Sequence, residues 1–162
     1  PVFASRIVAQ GTVEEKVLEL HEIDLLREFE ADTLAAVHEG VRERSCAAGE
    51  KLFATGDAGD EMFLIRRGKV RIVLPLDART GHHLASFGRG DYFGEMAFLD
   101  RGGRSADAVA VAPTDLYVLS RARFDAVSHA HPVEGAKIFA RIARALALRL
   151  RHTDAEVRAL QG

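Results

Sequence analysis

The sequence predicts an α+β domain: an eight-stranded antiparallel β jelly roll or barrel, preceded by helices and followed by one long helix. Three observations carry that expectation. Hydrophobic spacing is helical up to about Gly40, becomes strand-like from Val41 to Leu119, and turns helical again from Ser120. The strand-like runs are short, and glycines close them, as in barrels and jelly rolls. No long period recurs, so the glycines mark turns rather than solenoid repeats. The expected organisation is an N-terminal capped helix and linker over 1–22, a β-roll with flanking helices over 23–132, and a C-terminal lid or dimerisation helix over 133–162.

Thr12-Val13-Glu14-Glu15 is a capping box, with Thr12 at the N-cap and Glu15 three residues on. It predicts a helix to about His21 that buries Val17, Leu18 and Leu20. A second helix is expected around Asp24–Phe29 and a third around Ala31–Glu39, with Leu34 and Val37 on its apolar edge and Gly40 as its stop. Strands are expected at Lys51–Ala54, Met62–Ile65, Val70–Leu74, His83–Phe87, Ser105–Val111 and Asp115–Leu119, with a polar hairpin at Asp77–Gly81. A short helix should start at Ser120 or Arg121 and end near Pro132. The last helix, Val133–Leu160, would be about 40 Å long at 1.5 Å per residue. Its apolar stripe is Phe139, Ile142, Leu146, Leu150 and Val157, and Lys137, Arg141, Arg144, Arg151 and Arg158 line another face.

The 162 residues suffice for one core without staples. A formal charge of −2 argues against whole-surface attraction to nucleic acid, and the basic face of the last helix reads as a solvated one. Cys46 is the single cysteine, so no internal disulfide can form; it reads as a small hydrophobe in a reducing compartment. No apolar run reaches the ~18 residues of a membrane span, and Pro1–Gln10 lacks the apolar length of a signal peptide. A cytoplasmic location is expected. A chain beginning with Pro reads as a piece of something longer.

The most informative stretch is Phe93–Ala108. Phe93-Gly94 permits a tight turn with exposed backbone. Glu95, Met96, Ala97, Phe98 and Leu99 favour about one helical turn, whose first amides have no intrahelical acceptor and suit a phosphate. An Asp-Arg-Gly-Gly link follows, and Arg104 and Ser105 open a predicted strand. One loop therefore offers amides, a guanidinium, a hydroxyl and a carboxylate, which matches a ligand carrying both a phosphate and a sugar hydroxyl. An arginine suits phosphate because its planar fork donates two parallel bonds and stays charged. Asp107, by strand alternation, would face as Ser105 does and oppose an anion in the pocket.

This run resembles the phosphate-binding cassette of the cyclic-nucleotide-binding domain family, of the catabolite activator and protein kinase A regulatory subunit type, and the similarity extends from about Ile23 to Leu160. The resemblance implies a non-enzymatic regulatory domain without a cofactor, its ligand being cAMP or cGMP, with cAMP favoured. Phe93 and Gly94 would shape the turn, Glu95 would accept from the ribose 2′-hydroxyl, and Arg104 would pair with the cyclic phosphate. Ser105 and the amides of Met96, Ala97 and Ala106 would complete the cradle. Ile72 and Leu84 correspond to the apolar base wall, and Thr153 on the last helix to the residue that meets the adenine amino group. Gly103 stands where many members have proline, which implies a looser link. Helix position would depend on bound ligand, and occupancy would be relayed to a fused or associated effector. The layout also resembles C-terminal modules of sulfate-permease-type transporters and bacterial glutaminases. A homodimer through the last helix is expected, with no direct nucleic-acid contact and no membrane segment.

Other readings stay open. A nucleotide-blind structural or dimerisation domain would keep the fold without the ligand. The sensor part of a transcription regulator would need a DNA-binding domain, for which only Gln161-Gly162 after the last helix leaves no room. A cupin-like metalloenzyme is disfavoured because His82-His83 lacks the His-x-His spacing.

Overall fold

The computed structural model describes residues 13–77 and 81–161. Its elements are α1 (Val13–His21), a 3₁₀ turn (Asp24–Leu26), α2 (Ala31–Gly40), β1 (Val41–Cys46), β2 (Lys51–Phe53), β3 (Met62–Arg67), β4 (Lys69–Pro75), β5 (Gly81–Gly88), β6 (Tyr92–Phe93), α3 (Glu95–Asp100), β7 (Asp107–Ala110), β8 (Thr114–Leu119), α4 (Arg121–Ala130) and α5 (Pro132–Gln161). The eight strands form two antiparallel sheets, ordered β1-β8-β3-β6 and β2-β7-β4-β5. This is the predicted α+β jelly roll.

Side-chain alternation on β3 and β8 separates two cores. Phe63, Ile65, Leu116 and Val118 point between the sheets, where they meet Val70, Phe93 and Ala108. Met62, Leu64, Tyr117 and Leu119 point the other way, onto Leu20, Leu34, Phe124 and Ile142 of the helices. Both faces of these central strands are therefore covered, which explains why Met62–Ile65 is apolar without alternation. Cys46 is buried in the inner core, and burial pushes its thiol up from the ordinary value; such a thiol is poorly reactive.

Several elements differ from expectation. Leu18 is 66% exposed, because α1 turns Leu20 rather than Leu18 to the core. Asp24–Phe29 contains only the short 3₁₀ turn; Leu25 and Leu26 are buried within it, and burial there is achieved without a helix. β1 and the two-residue β6 lacked a strand-like apolar run: β1 reads Val-Arg-Glu-Arg-Ser-Cys and is held by its ladder to β8. The Thr12 N-cap lies outside the described residues, as do residues 78–80 of the expected hairpin, while β4 and β5 pair up to Pro75 and Gly81.

At the C-terminal side, Ser120 caps α4 by accepting from the Arg123 amide. Gly135 lets α5 begin hard against α4, since a Cβ there would lie 2.4 Å from Ser128 Oγ. Ile138 and Ile142 are buried, and Phe139 and Leu146 pack partly against the same core. The rest of the predicted stripe does not pack: Leu150 is 63% and Val157 47% exposed, and all of 147–161 is exposed. Periodicity identified the helix, but the second half of its apolar face has no surface beneath it among the described residues. No described helix is long and apolar enough to cross a membrane.

Candidate functional site

The turn between β6 and α3 is set by Gly94, at φ +85°. A Cβ here would come within 3.0 Å of both Arg104 Nη1 and the Glu61 carbonyl, so only glycine fits without displacement. α3 follows, and its C-terminal end is closed by Arg101 in a left-handed conformation, whose amide donates to the Ala97 carbonyl at 2.8 Å. At the other end, the amides of Met96 and Ala97 have no acceptor among the described residues.

Arg104 does not open a strand. Its amide donates to the Asp57 carbonyl at 2.9 Å and its carbonyl accepts from Gly56 at 2.8 Å, so the segment is tied to the β2–β3 loop. β7 begins only at Asp107. Gly103 holds φ +88°, which proline, fixed near −65°, cannot adopt. These ties place the Arg104 side chain, 6% exposed, under the turn. Its guanidinium lies 4.3 Å from the centre of the Phe53 ring and 5.3 Å from that of Phe63. Nη1 donates to the Gly94 carbonyl at 3.3 Å. Burial pulls the guanidinium down from the ordinary arginine value, and Glu61, Asp60 and Asp57 act in the opposite sense. Among the described residues no carboxylate forms an ion pair with it: Glu61 is engaged by Arg42 at 2.7 Å and Asp60 faces Arg101 at 3.9 Å.

Glu95 is also buried, at 4% exposure. It does not pair with Arg104. Its Oε1 accepts from Nη1 of Arg149 on α5 at 2.7 Å, and the Arg149 guanidinium lies 5.6 Å from the Phe87 ring centre. The long helix is thus fastened to the cassette through a half-exposed arginine.

These groups line a cavity of about 620 Å³ between β4, β5, α3 and α5. All eleven residues singled out in the sequence lie on it: Phe93, Gly94, Glu95, Met96, Ala97, Arg104, Ser105, Ala106, Ile72, Leu84 and Thr153. Ser105 is exposed there, its hydroxyl 3.7 Å from the Met96 sulfur. Thr153 donates to the Arg149 carbonyl at 3.1 Å, leaving its oxygen to accept. Sequence reasoning missed Arg149, His152 and Glu156, which share this face. For Arg149 and Glu156 the signal was available, since they stand four and three steps from Thr153 and so lie on its side of the helix; His152, its immediate neighbour, carries no such signal. It also missed Phe53, the platform under Arg104, which no spacing rule connects to the cassette. No group of three or more His, Cys, Asp or Glu side chains among the described residues is placed to hold a metal.

Asp107 corrects a second expectation. It lies off the cavity, accepting from the Thr55 amide at 2.7 Å and hydroxyl at 2.9 Å and facing Lys51 Nζ at 3.2 Å. Ser105 precedes the strand in a bend, so alternation does not relate the two. The Thr55 amide bond, helped by its hydroxyl and by Lys51, holds the Asp107 carboxyl below the usual value. A lowered folded-state pKa gives stability that is complete above the unfolded value, near pH 4, and is lost as pH falls through the folded value. Asp107→Asn is expected to cost about 1 kcal/mol at pH 7 and to flatten the acid arm of stability below about pH 4. Urea unfolding across pH 2–7 checks this; an acid arm of unchanged slope would contradict it.

A jelly roll that encloses a buried guanidinium with no carboxylate partner among the described residues, beside free amides and a buried carboxylate, is built to receive an anion. Residues 43–131, more than half of the chain, match the model of the family described as Cyclic nucleotide-binding domain, and the chain belongs to that family, of the catabolite activator and protein kinase A regulatory type. It is 36% identical over 138 residues to Glutaminase 2 of Bradyrhizobium diazoefficiens, covering 85% of this chain and 21% of that protein. It is 38% identical over 109 residues to the Cyclic AMP receptor protein of Thermus thermophilus, covering 67% of this chain and 49% of that one. The crystal structure of the Thermus thermophilus Catabolite Activator Protein superimposes with a TM-score of 0.74 at 33% identity, covering 85% of this chain and 62% of that one. The chain therefore spans about a fifth and about half of the two curated relatives.

Proposed function

We propose that this domain binds cyclic AMP in preference to cyclic GMP, performs no chemistry itself, and relays occupancy through α5 to a fused or associated effector. The observation that carries this reading is Arg104: a buried guanidinium with no carboxylate partner among the described residues, facing a cavity beside the amides of Met96 and Ala97. An unpaired buried charge is costly, and a cyclic phosphate would satisfy it. Ser105 and the Ala106 amide would complete the cradle. Glu95, with Oε1 held by Arg149, would accept from the ribose 2′-hydroxyl with Oε2. The residues of 23–132 would form the receptor, with Ile72 and Leu84 flanking the base, and 133–162 the lid that brings Thr153 to it.

Base preference follows from hydrogen-bond direction. Thr153 spends its proton on the Arg149 carbonyl, so its oxygen accepts. Adenine offers an amino donor at the position where guanine offers a carbonyl acceptor. Thr153→Ala is expected to weaken cyclic AMP binding by about 1 kcal/mol and cyclic GMP binding less. Equal losses for both would remove the adenine contact.

Ligand that touches both α3 and α5 favours one placement of α5 over another, and transmits no more than its difference in affinity for the two, of order 1–3 kcal/mol. The exposed stripe of Leu150, Val157 and Leu160 is suited to pairing with a second copy, and a cytoplasmic setting fits a nucleotide sensor. Calorimetric titration of the chain with cyclic AMP and cyclic GMP tests the reading. Saturable binding with tighter cyclic AMP supports it; heat of dilution alone for both overturns it.

A further inference from the structure

Arg121, the first residue of α4, is outside the cavity and outside the motif, yet it touches both parts that the ligand would bridge. Its Nη1 donates to the carbonyls of Phe98 at 2.9 Å and Leu99 at 3.2 Å. With Arg101 already donating to the Ala97 carbonyl, three consecutive carbonyls at the C-terminal end of α3 are satisfied. A helix end otherwise leaves such groups without partners, and a cation there also complements the helix dipole. Asp125, one turn along α4, orients the guanidinium by accepting from Nε at 2.9 Å. The same guanidinium lies 5.5 Å from the ring centre of Phe98 on α3 and 5.0 Å from that of Phe139 on α5. Edge-to-face contacts run alongside it from Phe98 to Phe124 at 5.2 Å and from Phe124 to Phe139 at 4.9 Å.

We infer that Arg121 is a positioning residue that couples the orientation of α3 to the placement of α5, and so sets how strongly nucleotide occupancy moves the long helix. This rests on the cyclic-nucleotide reading given above. α3 meets different surroundings at its two ends. Its N-terminal amides face the cavity, and its C-terminal carbonyls are held by a charge that also lies against α5. A short, six-residue helix has little intrinsic stability of its own, so its tilt is decided by these end contacts. Any tilt that an anion imposes at Met96 and Ala97 shifts the Phe98 and Leu99 carbonyls, and Arg121 must follow them across Phe139. Arg149 and Thr153 lie on the same helix, with Arg149 about 15 Å further along it at 1.5 Å per residue.

The test uses Arg121→Met, which keeps length and apolar packing but removes charge and donors, and Arg121→Lys, which keeps a charged donor without the planar fork. Amide hydrogen exchange of the ligand-free chain is measured first. Arg121→Met is expected to speed exchange at Phe98–Arg101 and around Phe139 while the β1–β8 ladder keeps its protection, and Arg121→Lys to restore protection of α3. Acceleration spread evenly over all elements, or a lysine variant as exposed as the methionine one, overturns the proposal.

A double-mutant cycle with Arg149→Met, read by cyclic AMP calorimetry, is the second arm. Sites this far apart are ordinarily additive. Coupling is expected to shrink the affinity penalty of Arg149→Met by about fivefold or more in the Arg121→Met background, and additive penalties overturn it. Should the unmodified chain take up neither cyclic AMP nor cyclic GMP, the nucleotide reading falls, and the exchange arm alone decides whether Arg121 links α3 to α5.

Discussion

Arg104→Ala is expected to weaken cyclic AMP binding by about 2–4 kcal/mol, roughly 30- to 1,000-fold in Kd, while leaving the ligand-free fold intact. Both halves follow from the same facts. The guanidinium is buried, sits on Phe53, and has no carboxylate partner among the described residues. In the complex it would be the buried cation facing the phosphate among the described residues, and its removal leaves a doubly esterified anion held by neutral amides and a hydroxyl. In the free protein the same side chain carries a desolvation cost that a neutral residue lacks. Its ring contacts offset part of that cost, so the substitution should change stability by no more than about 1 kcal/mol. Arg104→Lys should fall between, because an ammonium keeps the charge but not the two-pronged geometry. Calorimetry gives the affinities, and thermal unfolding with and without cyclic AMP gives the rest. A binder stabilises the folded state by mass action, so the ligand-induced rise in Tm should vanish in Arg104→Ala while the ligand-free Tm holds. An unchanged affinity would remove the phosphate role. A collapse of the ligand-free Tm would show instead that Arg104 is a structural residue.

The site was more legible in the sequence than the packing around it. Gly94, Glu95, Ala97, Arg104 and Ser105 are dictated by one local geometry, so their order along the chain already states it. Contacts made across the fold leave no such trace. Nothing near Glu95 in sequence indicates that its partner is Arg149 rather than Arg104, because the pairing depends on where α5 crosses β5. Likewise, the stripe Phe139, Ile142, Leu146, Leu150 and Val157 has one period throughout, but its first half is on the core and its second half is exposed. Period reports a face; only the tertiary arrangement reports what covers it. Asp107 failed for a related reason. Alternation holds within a strand, and the two backbone bonds between Arg104 and the β2–β3 loop delay the strand until Asp107 itself. β1 escaped because its ladder to β8 stabilises a polar sequence that no propensity would select.

Phe93→Ala carries the largest expected loss of stability, about 3–5 kcal/mol. Phe93 is 1% exposed and is paired with Phe63 across the β3–β6 ladder. Its ring stacks on Phe63 at 5.0 Å and Phe87 at 6.1 Å, and it meets Phe53 at 6.2 Å. Truncation would empty the centre of this group, and β6, only two residues long, cannot recollapse without dragging Gly94 with it. For a chain of this size the loss corresponds to a fall in Tm of roughly 10 °C. The consequence for the site is indirect but sizeable. Phe53 and Phe63 are the platform on which the Arg104 guanidinium rests, and Phe87 lies under Arg149. Loosening Phe93 therefore disturbs the cation meant for the phosphate and the one that holds α5 to Glu95. Phe93→Leu, which refills much of the volume, should recover most of the stability but less of the affinity, since Phe53, Phe63 and Phe87, the rings both cations use, are aligned by packing on the flat face of Phe93. Thermal unfolding and cyclic AMP calorimetry on the two variants separate these effects. If Phe93→Ala unfolds within about 2 °C of the unmodified chain, where even 1 kcal/mol should shift Tm by 2–4 °C, then the ring cluster is not what holds the cassette in place.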